Sequence, residues 1–334
     1  VTNTVWGLQA GQNWAASTHL RNSFYGNLAG NQMTGSASSD NSGFGNHALK
    51  ACGQGGVATG NTAVGSYAGA IIASGDNNTA MRYRAMLTGS AAVETNTAIG
   101  KDCLYNAGSS GGNTDCWANT AVGEFCLYSG GTAFTGIGNT AIGYYAGSGF
   151  ATVSIVLATG SYNTLIGYEV NTSATDSDNQ IVLGNNTNGS EDLSLTFGNG
   201  TSDTTCVYGT TSWTNPSDER IKKNVETSTA GLSFIDDLRP VIFDYKTKGE
   251  LESDHGDYIE NSTESYQSDK KQHGFIAQEV KEVLDNHSEI KDGFNGWSVN
   301  SVNDYQRIGE TAFIPMLITA IQELSAKVEA LENA

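Results

Sequence analysis

Basic residues are scarce in this chain of 334 residues: 17 Lys and Arg stand against 35 Asp and Glu, for a formal net charge of −18. Phosphate backbones and anionic lipid surfaces are held by clustered Lys and Arg, so nucleic acid and acidic membrane surfaces are excluded as partners. Long apolar runs are missing too. The greasiest stretch, 151–158, is far shorter than the roughly 20 apolar residues that cross a bilayer, so no membrane insertion is expected. Cysteines number 5, an odd count without a CxxC pair, and Cys52, Cys116 and Cys206 have no metal-ligand spacing. That excludes a disulfide framework and a zinc site, and all five read as reduced. No metal or other cofactor is implied. The chain opens on Val1 without a basic-then-apolar leader and reads as an excised or processed fragment without a signal peptide.

Glycine and charge are present but unevenly placed. Residues 1–216 carry 34 of the 41 Gly and 17 charged residues, 5 basic and 12 acidic; residues 217–334 carry 7 Gly and 35 charged residues, 12 basic and 23 acidic. At roughly 100–200 residues per domain the length suits two or three domains, and the shift at Pro216 marks a boundary.

The glycine-rich part is a repeat. Asn-Thr-Ala-(Val/Ile)-Gly occurs at 61–65, 96–100, 119–123 and 139–143, with looser copies from Asn22, Asn41, Asn78 and Asn163 and a decayed one from Asn179. The steps between the first eight are 19, 20, 17, 18, 23, 20 and 24. The fourth place is always apolar, the fifth is Gly except at Arg82, and the eighth is small, with Cys103 and Cys126 standing where other copies have Ala. One large residue, one turn glycine and one small residue per roughly 20 residues describe one coil of a β-solenoid. Strand alternation separates the third and fourth places. The expectation is that the bulky fourth residues fill the coil interior and the small face lets another backbone approach. The inserts at 106–118 and 147–162 are expected to leave the roll as loops. Cys103 and Cys126 read as stacked core residues rather than a disulfide.

These repeats resemble the head of trimeric autotransporter adhesins, a left-handed parallel β-roll of three chains, and similar repeats in phage tail fibres. The resemblance covers about 20–185. The remainder has its own motifs: Ser217-Asp218-Glu219-Arg220-Ile221-Lys222-Lys223-Asn224, then Gly231-Leu232, then Leu238-Arg239-Pro240-Val241-Ile242-Phe243-Asp244-Tyr245, then Gly274-Phe275-Ile276-Ala277-Gln278-Glu279-Val280, and a terminal helix. In that order they resemble the endosialidase-type intramolecular chaperone domain at the C-termini of phage tailspikes and tail fibres. The resemblance implies that the domain trimerises, helps the β-rich region ahead of it fold, and cuts itself off once before the serine, between Pro216 and Ser217. It places a serine–lysine dyad on Ser217 and Lys222. A serine hydroxyl needs a base to become a nucleophile. A lysine serves only when neutral, which requires burial to bring its pKa from ~10.4 towards ~7–8. Lys223 is the neighbouring candidate. His273, Gln278 and Glu279 receive no catalytic role, and His255 with Asp257 reads as a surface loop rather than a metal site.

The segment 274–280 reads as a strand entering a helix with Val280, Val283 and Leu284 on its buried face. Leu317, Ile321, Leu324, Val328 and Leu331 follow spacings of 4, 3, 4 and 3, the seam of a short parallel coiled coil.

The expected fold is therefore an all-β, parallel, trimeric β-roll or solenoid followed by an α+β domain ending in a coiled-coil helix. The expected division is 1–20 as a connection to a preceding fibre, 21–185 as the roll, 186–216 as linker and distal tip, and 217–334 as chaperone domain, its helix at about 310–334. The function this implies is the distal part of a homotrimeric phage tail fibre in the virion. It would be joined to upstream fibre or baseplate proteins and would contact a bacterial surface glycan or outer-membrane protein. Trp117 and Tyr162 on the inserts suit sugars. The resemblance implies at most single-turnover self-cleavage. Two alternatives stay open: a tailspike enzyme degrading surface polysaccharide, which needs a carboxylate pair in a groove, and a bacterial trimeric surface adhesin.

Overall fold

The computed structural model describes residues 2–14, 19–35, 37–54, 56–108, 116–149, 155–291, 293–301 and 304–334. The chain forms two compact units, Val1–Asp218 and Glu219–Ala334.

The first unit is a β-solenoid of about eight turns. Its main sheet has thirteen strands. From Thr4–Trp6 to Ser194–Gly198 each strand pairs in parallel with its counterpart one coil on, third residue against third residue, as in Ala98 with Ala121 and Ala121 with Ala141. At the far end Thr204–Val207 and Trp213–Thr214 add antiparallel and close the sheet. A second, parallel sheet of Ile71–Ser74, Thr88–Glu94 and Cys116–Trp117 runs along another side of the middle coils.

Asparagine sets the interior. The first residue of every copy from Asn22 to Asn163 is at most 1% exposed. Each side-chain Oδ1 accepts the backbone N–H of the asparagine one coil further on, at 2.8–3.0 Å. Each Nδ2 in turn donates to a carbonyl across the coil, as Asn61 does to Gly75 and Asn119 to Gly136, both at 2.8 Å. This ladder satisfies polar groups that would otherwise be buried without partners. It starts at Asn3, ahead of the first repeat visible by spacing, and ends on Gln180, whose N–H meets Asn163 Oδ1 at 2.9 Å. The decayed copy therefore begins at Gln180 rather than Asn179.

The expected assignment of faces is reversed. Ala63, Ala80, Ala98, Ala121 and Ala141 at the third place are 0–1% exposed. Tyr25, Phe44, Val64, Met81, Ile142 and Ile166 at the fourth are 36–41% exposed. The reason is alternation itself: an inward asparagine at the first place commits the third place to the interior and turns the fourth outward. The interior of so thin a coil takes alanine in most strands. Where the third place is Phe24, the next coil has Gly43 opposite it and Gly30 lies against its ring. Larger apolar side chains enter from the corner, at Leu49, Met86, Leu104 and Leu127. Cys103 and Cys126 donate to Ala121 O and Ala141 O at 3.1 Å, and all five cysteines are free thiols. Burial pushes the thiols of Cys52 and Cys116 up to about 12.

Two turns recur in every coil. The glycine at the fifth place has its Cα against the next coil's carbonyl; at Gly123, φ is +140° and a Cβ would overlap Gly143 O. At the seventh place the left-handed region is held by ordinary residues, including His47, Tyr67, Arg84, Phe125 and Tyr145 at φ 54–59°. Stacking offsets part of that strain: the His47 ring lies on Tyr67 at 4.5 Å and Phe125 on Tyr145 at 4.8 Å.

The inserts were expected to leave the roll. Residues 109–115 and 150–154 lie outside the described residues. The rest rejoin it: Cys116–Trp117 pairs with Val93 and Glu94, Ala107 bridges Phe134, and Phe134 and Leu157 are buried. Trp117 and Tyr162 stay exposed, at 41% and 58%.

The second unit is a small mixed α/β region followed by a helix of 23 residues, 310–332, whose first turn is 3-10. Helix α1 spans Leu232–Asp237, α2 Ala277–Asn286 and α3 Ile314–Glu332. Val241–Phe243 pairs antiparallel with Gln272–Gly274, and Trp297–Val299 with Gln306–Ile308. The strand that enters α2 is thus Gln272–Gly274, and Val280 and Leu284 face inward as the pattern requires. The core is small. Phe234 sits at its centre against Phe294 and Phe313, with Ala230, Val280, Leu284 and Ile290 around them.

Candidate functional site

The candidate dyad lies in a stretch from 208 to 229 that is exposed throughout. After Trp213–Thr214 the chain leaves the sheet and runs through Pro216 and Ser217 without regular structure. A 3-10 turn, Glu219–Ile221, follows, and the Lys222 N–H donates to Glu219 O at 3.0 Å to close it. The division between the units falls between Asp218 and Glu219, so Ser217 belongs to the first and Lys222 to the second. Ser217, Lys222 and Lys223 are all exposed in the single chain.

The motifs behind this segment are structural where the geometry assigns them. Arg239, before Pro240, holds Glu279 on α2 through both guanidinium branches, Nε to Oε2 at 3.0 Å and Nη2 to Oε1. That hydrogen bond keeps the Glu279 carboxyl below the usual carboxylate range. His273 is exposed on its strand and Gln278 is exposed at the start of α2. His255 packs between the rings of Tyr266 and Tyr305 beside a cavity of about 470 Å³ that Glu252, Asp254 and Asp257 also line. Among the described residues, no cluster of three or more His, Cys, Asp or Glu is placed to hold a metal ion.

A polar junction that spacing does not reveal sits at the end of α2. His287 is buried, its Nε2 2.8 Å from Asp237 Oδ2 on α1 and its Nδ1 2.8 Å from Glu289 Oε1, with its ring edge-on to Phe234. Both ring nitrogens face carboxylates, which an imidazolium satisfies and a neutral imidazole does not. The Asp237 bond first and the Glu289 bond second raise the His287 pKa above 6.5. Because the folded pKa is the higher one, this contribution is complete below about pH 6.5 and is lost as pH rises through the folded pKa. The second unit is therefore expected to lose about 1–2 kcal/mol between pH 6 and pH 9. His287→Gln should flatten that dependence, read from urea midpoints at the two pH values. A wild type equally stable at both would contradict it.

The five seam residues all lie on α3 and are exposed: Leu317 at 43%, Ile321 at 64%, Leu324 at 47%, Val328 at 51% and Leu331 at 77%. Ile314, three residues before Leu317 and 52% exposed, extends the same line by one step. The adjacent face of α3 docks on its own unit through Ala320, Met316 and Glu323, whose Oε2 accepts the Leu232 N–H at 3.2 Å. Among the described residues, no helix is long and apolar enough to cross a membrane.

With this geometry in place, the comparison with known families is informative for one part of the chain. The model of the family described as chaperone of endosialidase matches residues 217–289, beginning on Ser217 and ending just past His287. No curated protein and no solved structure matches the chain.

Proposed function

We propose that this chain is the distal part of a homotrimeric phage tail fibre, with 217–334 as the intramolecular chaperone that brings three chains together and then cuts once between Pro216 and Ser217. The observation that carries the reading is the outward column of large apolar side chains along the solenoid, next to a segment that matches the chaperone family. Such a column in water is costly, and parallel packing of identical columns around an axis removes it. The exposed seam on α3 and the small core of the second unit point the same way. A short coiled coil aligns the chains before near-identical coils can pair out of register.

In the cut, Lys222 as free amine takes the Ser217 hydroxyl proton while Oγ attacks the Pro216 carbonyl. The peptide C–N bond breaks, the Ser217 amino group leaves with a proton, and Pro216 is held as an ester on Oγ. Water hydrolyses that ester, giving a carboxylate on Pro216 and regenerating the hydroxyl. The solenoid then serves as the part that meets the host: a bacterial surface glycan or outer-membrane protein, with Trp117 and Tyr162 as exposed rings suited to sugar.

The test is the intact mass of wild type beside Ser217→Ala under denaturing conditions, with the native mass of each. Wild type is expected to split into 1–216 and 217–334, the variant to stay at 35.1 kDa, and both to assemble as trimers. A wild type as intact as the variant would remove the self-cleavage. A monomeric native mass would remove the fibre reading.

A further inference from the structure

The carbonyl that Ser217 would attack belongs to Pro216, and the chain leading up to it is held by the last strands of the solenoid. Thr204–Val207 pairs antiparallel with Ser194–Gly198, and Thr205 Oγ1 lies 3.0 Å from Thr196 Oγ1, both side chains being buried. Trp213–Thr214 pairs in turn with Cys206 and Thr205. The Trp213 ring stands edge-on to Phe197 at 5.6 Å, and the Thr214 hydroxyl donates to Thr205 O at 3.2 Å. These contacts already fix the strand end. One more reaches past it: the Thr204 hydroxyl donates to Asn215 Oδ1 at 2.6 Å. Asn215 is the residue immediately before Pro216.

That hydrogen bond bears on the torsions that place the attacked carbonyl. With Thr214 fixed in the sheet, the Pro216 carbonyl carbon is set by the φ and ψ of Asn215 and the φ of Pro216. The proline ring locks the last of these at about −65°. A proline also confines the residue before it to extended backbone. What remains is swing about Asn215, and a hydrogen bond from the sheet to its side chain limits that swing. Acyl transfer is fast only when nucleophile and carbonyl are held close to the geometry of attack.

We propose that Thr204 and Asn215 are positioning residues for the cut: Thr204 holds Asn215 and thereby sets where the Pro216 carbonyl is presented to Ser217 Oγ. This rests on the self-cleavage proposed above and deepens it by naming the residues that present the bond. Both lie in the first unit, ahead of the segment that matches the chaperone family, which begins at Ser217. The half of the bond that becomes the ester is thus aimed by the solenoid's own last strand. The bland reading is a surface hydrogen bond that trims a strand end. It predicts an effect on stability and none on the rate of cutting.

The experiment follows full-length chain made by cell-free synthesis with a pulse of radiolabelled methionine; Met33 and Met316 mark the two pieces. Conversion of the 35.1 kDa chain is timed under denaturing conditions. Thr204→Val keeps the β-branched shape and removes the hydroxyl, and is expected to cut about fivefold to tenfold more slowly than wild type. Thr204→Ser returns the hydroxyl and is expected to restore the rate to within about twofold. Asn215→Ala should slow the cut as Thr204→Val does, and the two together no further, because they remove one contact. In a Ser217→Ala background, which stays whole, each variant should keep the parent's urea midpoint and native mass. Thr204→Val cutting as fast as wild type overturns the proposal. So does slowing that serine does not rescue, that adds in the double variant, or that comes with a lowered midpoint. A wild type that stays whole removes the self-cleavage and the positioning together, whereas a wild type and Thr204→Val that cut equally fast remove the positioning alone.

Discussion

Gly123→Ala is expected to destabilise the solenoid by about 3–5 kcal/mol, enough to shift its urea midpoint by more than 1 M or to prevent soluble accumulation. Two terms add. The backbone at φ +140° lies in a region that L side chains rarely adopt, at about 1–3 kcal/mol. The new Cβ also overlaps the Gly143 carbonyl of the next coil, and that carbonyl lies in a column in which each glycine presses on the following one. Neither neighbour can retreat, because Val122 and Ile142 are paired in register on the strands that enter this turn. The same turn holds a side chain at Arg82, and there the backbone sits at φ 91° instead of near +140°. Gly130→Ala is the control. Its φ is +65° and nothing lies within 4 Å of the added Cβ, so about 1 kcal/mol is expected. Equal midpoints for the two variants would refute the overlap account.

The repeat made most of the solenoid legible, since a fixed asparagine, an apolar fourth place and a glycine every 17 to 24 residues have no other economical packing. What it concealed was direction. Reading the large residues as core is the usual rule, and here it fails because the buried asparagine competes for the same face and wins. An Asn left outside would forfeit the hydrogen bonds that join one coil to the next. The ladder's ends were hidden for a different reason: Val5-Trp6 replaces the usual pair after Asn3, and Gln180 replaces asparagine altogether. The left-handed corner at the seventh place could not be read at all, because Leu28, His47, Arg84, Asp102 and Phe125 share no chemistry, only a position. In the second unit the candidate dyad was visible only through the motifs around it, since a serine five residues before a lysine carries no signal of its own. His287 and Asp237, fifty residues apart, meet only once α1 and α2 are packed.

The reversed faces lead to the second large effect, at the surface rather than inside. Ile142→Asp with Ile166→Asp places two carboxylates per chain on the outward column, directly paired on adjacent strands. In a single solenoid these positions are 40% and 41% exposed, so the coil itself should fold. In a trimer packed on this face they become six like charges removed from water, at about 3–5 kcal/mol each while uncompensated. The expected result is a β-rich circular dichroism spectrum like that of wild type, together with a native mass of one chain in dilute urea where wild type still runs as three. Thr140 and Thr164, two residues earlier on the same face, are half-buried polar neighbours. Thr140→Asp should therefore have a smaller effect in the same assay, which separates burial at the fourth place from mere added charge. Loss of the β spectrum would mean that the column is needed inside each coil, contrary to the burial of Ala141 and Leu165 beside it. A trimer indifferent to both carboxylates would mean that the chains meet elsewhere, leaving α3 as the surface that holds them.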